Sequence, residues 1–246
     1  MLIPTTYWMI LLIALLSGLT TFIGLGIAAC CKKKTRMIVT GIGFSAGIML
    51  AISFFELVPE AIFASGKISA SLSLILGFVV MIAIHFAIPH THICTDKGKC
   101  SPFMSIGLCV AIGMIIHDFP EGFAMASSYL YAPSLGILVA LSVAIHNIPE
   151  AFTVAMPLIL VKNRKFLIQT ITIAALAEPF GAALGLIAVS LAPSLNAIFM
   201  AFAAGAMIFV AIDELYPLAQ SYNRPKDFIL GIAFSLLVYF VLSYFL

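Results

Sequence analysis

Two motifs with the pattern His-[Asp/Asn]-x-Pro-Glu-small lie 29 residues apart in apolar stretches of this chain. Residues 117–122 read HDFPEG, and residues 146–151 read HNIPEA. Residues four apart share a helix face, so the His and the Glu of each motif are expected to point the same way. Because proline removes a backbone hydrogen bond, each helix is expected to kink at the motif and to free a carbonyl group.

Imidazole, carboxylate and amide groups together suit a borderline divalent cation such as Zn²⁺, Fe²⁺, Mn²⁺ or Co²⁺. Neither motif contains a cysteine, which disfavours Cu⁺. Asp118, Glu121, Glu150 and the nearby Glu178 sum to a charge of −4. One dication would leave −2 inside an apolar region, so the count predicts two adjacent metal ions, or one metal ion with protons.

The composition predicts an all-α, polytopic membrane protein. Of 246 residues, 63% are hydrophobic and only 9% are charged, and the mean hydropathy is +1.20. The apolar runs are continuous rather than alternating, which argues against a transmembrane barrel. A net charge of +2 excludes a large nucleic-acid interface. Four of the five cysteines adjoin predicted cytosolic segments, so no disulfide is expected.

Eight membrane spans fit the sequence as a single domain, residues 1–246. The N-terminal stretch has neither a basic region nor a cleavage site, so it is predicted to be a retained first span rather than a signal peptide. The longest break is a loop at residues 89–103 between spans 3 and 4. The predicted spans are roughly 7–29, 37–61, 68–88, 104–130, 134–160, 166–191, 196–217 and 227–246.

The charged residues predict the orientation. Eleven of the twelve Lys and Arg residues fall in the four gaps that face one side, and only Lys67 is opposite. By the positive-inside rule both termini are non-cytoplasmic. Eight of the ten acidic residues lie within spans or at their ends, and no Lys or Arg is embedded to neutralise them. Cations or protons are therefore expected to do so.

The chain also contains internal repeats. A shift of 158 residues places residues 43–61 on residues 201–219 with eight identities, including Glu56 on Glu214 and Pro59 on Pro217. Span 2 is predicted to run outward and span 7 inward, and the two six-residue motifs also lie on oppositely directed spans. Inverted repeats of this kind are typical of secondary transporters.

The chain resembles the ZIP family of divalent-metal transporters, and most closely its bacterial ZupT-like branch. The resemblance covers essentially the whole length and is carried by HDFPEG, HNIPEA, AEPFGA on span 6, and FFELVPEA and IDELYPLA on spans 2 and 7. It implies a ZIP-type fold and uptake of Zn²⁺, and often Fe²⁺, Mn²⁺, Co²⁺ or Cd²⁺, into the cytoplasm. It also implies that spans 1, 4, 5 and 6 move against spans 2, 3, 7 and 8, often in a homodimer.

Carried over motif by motif, the resemblance implies a binuclear site for the transported ions, with no separate cofactor. Asp118 stands where the ZupT-like branch usually has Asn, and Ala151 where it usually has Gly, so the extra carboxylate is expected to affect ion preference or the second metal position. A plasma or bacterial inner membrane is the implied location. The implied ligands are His117, Asp118, Glu121, His146, Asn147, Glu150 and Glu178.

Other polar residues carry weaker signals. His90, His92, Cys94 and Cys100 in the predicted loop form either a metal-capturing segment or a flexible loop with incidental ligands. The pattern favours a packing or interfacial role for His85. The acids at the ends of spans 2 and 7 are either stations along an ion path or solvated helix ends; they are Glu56, Glu60, Asp213 and Glu214.

Two other functions were weighed against transport. An intramembrane metallo-hydrolase would be expected to carry a His-Glu-x-x-His motif, and the order here is His-x-x-x-Glu with no obvious third histidine. A membrane metal sensor would need an output domain, for which the sequence offers no candidate. The chain is therefore predicted not to be an enzyme, with metal ions and the lipid bilayer as its partners.

Overall fold

The computed structural model describes residues 5–30, 35–87, 102–160 and 164–246, and these are almost entirely helical. No strand occurs within these ranges, which confirms the all-α prediction. Single residues, Gly66 and Ala132, separate two pairs of helices and make them hairpins. The helices, labelled in chain order, are α1 Thr5–Cys30, α2 Thr35–Ser65, α3 Lys67–Ala87, α4 Pro102–Tyr131, α5 Pro133–Leu160, α6 Arg164–Leu191, α7 Pro193–Gln220 and α8 Pro225–Phe245.

Seven helices in the described ranges are long and apolar enough to cross a membrane. The protein is thus a polytopic membrane protein, as the composition predicts. The 30-residue helix α4 occupies the place of the predicted fourth span but is not among the seven. It carries three of the predicted ligands, His117, Asp118 and Glu121. The eighth crossing therefore stays a prediction. The four residues that form either a metal-capturing segment or a flexible loop, His90, His92, Cys94 and Cys100, lie outside the described residues.

The inverted repeat predicted from the sequence is present in the helix packing. Helix α2 packs along α8, and its repeat counterpart α7 packs along α3. The helices of each pair run parallel, because their contacts advance in the same direction along both chains. In the α2–α8 pair, Gly43 lies against Phe228 and Gly47 against Ile232. In the α7–α3 pair, Ser73 donates to the Ile198 carbonyl and Gly77 lies against Phe202. Since α2 and α3 form a hairpin, α2 and α7 run in opposite directions.

Each repeat copy also contains a π-helical segment at the same place. In α2 the segment is Ser53–Leu57, and in α7 it is Val210–Leu215. A proline follows in both copies, at positions 59 and 217. π-helical segments inside α-helices are rare and often occur at functional sites. Each segment contains one acid of the matched pair, Glu56 or Glu214.

The remaining helices, α1, α4, α5 and α6, form the other half of the molecule. Helix α4 packs closely on α6, because Gly122 lies against the Glu178 backbone and Gly181 against the Phe119 backbone. Helix α1 packs on both α5 and α6. The two halves meet where α2 contacts α5 and where α4 contacts α7. The helices continue on both sides of Pro120, Pro149 and Pro179, so no proline in this half ends its helix.

Candidate metal site

All seven predicted ligands are buried in the half formed by α1, α4, α5 and α6. Their exposed fractions run from 0% to 5%, at a depth where charged side chains are costly without a partner. Helix α4 supplies three of them, α5 three and α6 one. Among the described residues, no Lys or Arg forms an ion pair with any of the seven: His117, Asp118, Glu121, His146, Asn147, Glu150 and Glu178.

The two motifs contact each other reciprocally. His117 Nε2 contacts Glu150 Oε1, and His146 Nε2 lies 3.0 Å from Glu121 Oε1. Each histidine thus reaches the glutamate of the other motif, across the α4–α5 hairpin. Within one motif the approach is looser, as the 3.7 Å distance from His146 Nε2 to Glu150 Oε2 shows. The sequence placed each His and Glu on one helix face, and the hairpin decides which of them meet.

This reciprocal contact creates two groups of potential metal ligands. One consists of His117, Asp118 and Glu150, and the other of Glu121, His146 and Glu150. In each group the ligand atoms lie within 4.8 Å of one another. Ligands of a tetrahedral Zn²⁺ are about 3.3 Å apart, so a small contraction would complete either group. Glu150 belongs to both groups and has one carboxylate oxygen for each.

Asn147 and Glu178 are close by but outside these two groups. The Asn147 amide Nδ2 donates to Glu178 Oε1 at 2.5 Å. The same Nδ2 also donates to the backbone carbonyl of Ser17 in α1, at 3.3 Å. Glu178 interacts electrostatically with Glu121 and His146, which places the Asn147–Glu178 pair beside the second group.

Several buried oxygens in the site have no hydrogen-bond partner among the described residues. They are Asp118 Oδ2, Glu121 Oε2, Asn147 Oδ1, Glu150 Oε2 and Glu178 Oε2. An unpaired buried acceptor costs about 1–3 kcal/mol, and more when it is charged. All five atoms are of the type that coordinates divalent cations, so a bound cation would remove this cost.

A cavity of about 290 Å³ begins at His117 and Glu150 and is also lined by His85, Asp213 and Glu214. Asp213 and Glu214 precede the end of α7, and His85 lies near the end of α3. These helix ends are on the same side of the molecule as the starts of α2, α6 and α8, where the described arginines lie. The site is therefore open toward the basic side of the molecule.

His85 and Glu214 are closer to the site than sequence reasoning suggested. Glu214 Oε2 lies 3.7 Å from His117 Nδ1, which joins α7 to the ligand cluster. His85 packs edge-on against Phe209, as the predicted packing role requires, but its Nδ1 also lies 3.6 Å from Asp213 Oδ2. In the other repeat copy, Glu56 and Glu60 of α2 line a separate cavity of about 230 Å³ together with Tyr131.

Sequence reasoning missed Ser17 and Ser45. Ser45 is fully buried in α2 and donates to the His146 carbonyl at 3.1 Å, so it joins the two halves at a predicted ligand. Ser17 contacts Asn147 through its carbonyl. The cluster of hydroxyl residues Ser17, Thr20 and Thr21 within an otherwise apolar first helix was the available signal.

Comparison with known proteins agrees with the geometry. The model of the family described as "ZIP Zinc transporter" matches residues 88–243. A protein named "Zinc transporter ZupT" from Chlorobium luteolum is 38% identical, with 90% of this chain and 92% of that protein covered. A protein of the same name from Corynebacterium aurimucosum is 35% identical, with 89% of this chain and 90% of that protein covered. Another, from Stenotrophomonas maltophilia, is 33% identical, with 93% of this chain and 92% of that protein covered.

These matches run nearly end to end and include both six-residue motifs. They decide against the hydrolase and sensor alternatives, because the family consists of transporters. The chain therefore belongs to the ZIP family of zinc transporters, as a bacterial ZupT-like integral membrane protein.

Proposed function

We propose that this protein moves Zn²⁺ into the cytoplasm by alternating access, through a binuclear site on α4, α5 and α6. Fe²⁺, Mn²⁺ and Co²⁺ are further candidate substrates, since the site offers the same nitrogen and oxygen donors to each. The names of the relatives, which are zinc transporters, support zinc as the first choice. The observation that carries the proposal is the pair of three-ligand groups that share Glu150.

The charge of the site supports two ions. Asp118, Glu121, Glu150 and Glu178 carry −4 when ionised, and two dications balance that charge. A shared carboxylate is a usual way to hold two metal ions about 3.5–4 Å apart. His117 would bind the first ion with Asp118, and His146 the second with Glu121, while Glu150 bridges them.

The cavity and the repeats support the direction and the mechanism. The cavity opens toward the basic side of the molecule, which the positive-inside rule assigns to the cytoplasm. This conformation would therefore release ions inward. Inverted repeats allow the opposite conformation, because exchanging the arrangements of the two copies would close this side and open the other.

Metal uptake into proteoliposomes tests the proposal. The parent protein, Glu121→Gln and Glu150→Gln would be compared with Zn²⁺, Fe²⁺ or Mn²⁺ as the sole cation, with and without a pH gradient. Uptake by the parent is expected for Zn²⁺ at least, and its loss is expected to be nearly complete in Glu150→Gln, because both ligand groups lose a member. Metal content of the purified proteins is expected to fall from two ions to fewer in both variants.

Ser128→Ala is the matched control, because the Ser128 hydroxyl is buried in α4 but bonds only within its own helix. This variant is expected to transport like the parent. Normal uptake by a folded Glu150→Gln variant would contradict the proposed site. Absence of uptake of every ion by folded parent protein, with metal still bound, would contradict transport itself.

A further inference from the structure

Helix α1 is interrupted beside the metal site. Its regular helix ends at Leu19, and a new segment begins at Thr21. At the break, the Thr20 N–H donates to the Ser17 carbonyl at 2.9 Å, and the Thr20 hydroxyl is placed to donate to the same carbonyl at 2.7 Å. The Thr20 hydroxyl is also 2.8 Å from the Ala144 carbonyl of α5. Thr20 therefore ties the break in α1 to the helix that carries the second motif.

The break is held against both neighbouring helices at backbone distance. A Cβ on Gly18 would lie 2.2 Å from the Ala175 carbonyl oxygen of α6, and one on Gly24 would lie 2.3 Å from the Ile148 carbonyl oxygen of α5. No side chain separates the helices at these points. The Ser17 carbonyl between them therefore has a fixed position relative to Asn147 and Glu178.

This carbonyl determines which way the Asn147 side chain faces. The Asn147 amide group contacts the Ser17 carbonyl and the Glu178 carboxylate, and both of these only accept hydrogen bonds. The NH₂ group must therefore face them, since the opposite orientation would place oxygen against oxygen. The carbonyl oxygen Oδ1 is then directed elsewhere, and it has no partner among the described residues.

The Ser17 side chain lies beside the other member of the pair, Glu178. Ser17 is only 3% exposed, and its side chain is near enough to the Glu178 carboxylate to affect it electrostatically. In this conformation the hydroxyl makes no direct hydrogen bond, so it would have to rotate before it could donate to the carboxylate.

We propose that Thr20 and Ser17, at the break in α1, are positioning residues that turn the Asn147 carbonyl oxygen and the Glu178 carboxylate toward the transported cation. The inference rests on the proposed function. Without the Ser17 carbonyl, Glu178 would be the remaining described acceptor of the Asn147 NH₂ group, so the amide would flip more readily and present that group, which repels a cation. Helix α1 carries none of the seven predicted ligands, yet it would set the affinity of the site through this contact.

Zn²⁺ uptake kinetics of threonine variants test the proposal. Thr20→Val keeps the side-chain shape but removes the hydroxyl, and it is expected to raise the KM for Zn²⁺ about tenfold with little change in Vmax, as loss of a residue that orients a metal ligand does. Thr20→Ser keeps the hydroxyl and is expected to restore the parental KM. Thr21→Val is the matched control, because the Thr21 hydroxyl bonds only to the Gly18 carbonyl of its own helix.

Combining two substitutions tests whether Thr20 acts through Asn147. If Thr20 acts through Asn147, then Thr20→Val causes no further rise in KM in an Asn147→Ala protein. A full additional rise in that background, or equal KM values for Thr20→Val and Thr21→Val, would overturn the inference. Parent protein that takes up no metal would instead overturn the proposed function, so the two failures are distinct.

Ser17→Ala is a second, milder variant that leaves the bonds of Thr20 in place. Ser17→Ala alone is expected to raise the KM for Zn²⁺. In a protein that already carries Glu178→Ala, adding Ser17→Ala is expected to leave the KM unchanged. Thermal unfolding in detergent shows whether each variant folds. If Thr20→Val does not fold, Ser17→Ala with and without Glu178→Ala provides the test. A KM for Zn²⁺ that is the same in Ser17→Ala as in the parent protein would then overturn the inference.

Discussion

The two π-helical segments have matching sequences but different surroundings. In α7, Glu214 lies beside the ligand cluster, with Oε2 at 3.7 Å from His117 Nδ1. In α2, the matched Glu56 accepts a hydrogen bond from the Tyr239 hydroxyl of α8, at 2.5 Å. The position that corresponds to Tyr239 in the other repeat copy is Met81, which offers no hydroxyl. This difference accounts for the Tyr239 bond of Glu56, whereas the neighbour of Glu214 is His117 on α4.

This comparison shows how one repeat can produce an asymmetric molecule. The helix pairs α2–α8 and α7–α3 share their packing, so the frame is nearly symmetric. The polar partners are not symmetric: the cavity on the α7 side reaches His117 and Glu150, whereas the cavity beside Glu56 is lined by other residues. Substituting matched residues in one repeat copy at a time should therefore distinguish residues that stabilise the helix pairs from residues that affect ion transport.

The largest difference is expected at two matched glycines. A Cβ on Gly205 would lie 2.0 Å from the Leu74 carbonyl oxygen, which belongs to a rigid backbone, whereas a Cβ on Gly47 would meet the rotatable Ser235 hydroxyl at 2.0 Å. We expect Gly205→Ala to lower the free energy of unfolding by about 3 kcal/mol, and Gly47→Ala by roughly 1 kcal/mol. Thermal unfolding in detergent measures both.

Ser235→Ala provides the control for this pair, because removing the hydroxyl should relieve much of the cost of Gly47→Ala. Equal destabilisation by the two glycine variants, with no relief from Ser235→Ala, would show that the helix pairs are not held as the structure indicates.

A second difference is expected at the matched acids. Glu214→Gln removes a negative charge beside His117 and is expected to reduce the initial rate of Zn²⁺ uptake about tenfold, equivalent to about 1.4 kcal/mol. Glu56→Gln is expected to change it by less than about twofold, since Glu56 faces Tyr239 rather than the site. A greater loss in Glu56→Gln would assign that acid to the ion path and reverse the comparison.

The smallest effect is expected for Tyr239→Phe, which removes the hydroxyl that donates a hydrogen bond to Glu56. The loss of this hydrogen bond should lower the free energy of unfolding by about 1 kcal/mol while uptake is retained. Tyr244→Phe is the control, because Tyr244 is 85% exposed on the outer surface. If Tyr239→Phe melted like Tyr244→Phe, the hydrogen bond would contribute nothing measurable to the α2–α8 pair.

Much of the fold could be predicted because the governing signals are local or repeated. Long apolar runs predict helices that cross the membrane, whereas the single-residue breaks at Gly66 and Ala132 are seen only in the structure. The match of residues 43–61 with 201–219 predicts the inverted repeat, which the helix packing confirms.

Within the site, the sequence determined the residue types and the helices that carry them. It predicted that His and Glu of each motif share a helix face, since that depends only on the helical period. It did not predict that His117 would meet Glu150 and that His146 would meet Glu121, because this depends on how the α4–α5 hairpin closes.

The sequence by itself thus determined an all-helical membrane protein of the ZIP family with histidine, carboxylate and amide side chains of the types that can bind metal ions. The tertiary structure alone decided the two ligand groups that share Glu150, the contact of Glu214 with His117, and the pairing of Asn147 with Glu178 under the α1 carbonyl. The physical reason is distance along the chain. Helical periodicity extends over a few residues, whereas the contacts between helices that build these features join residues 25 to 130 positions apart.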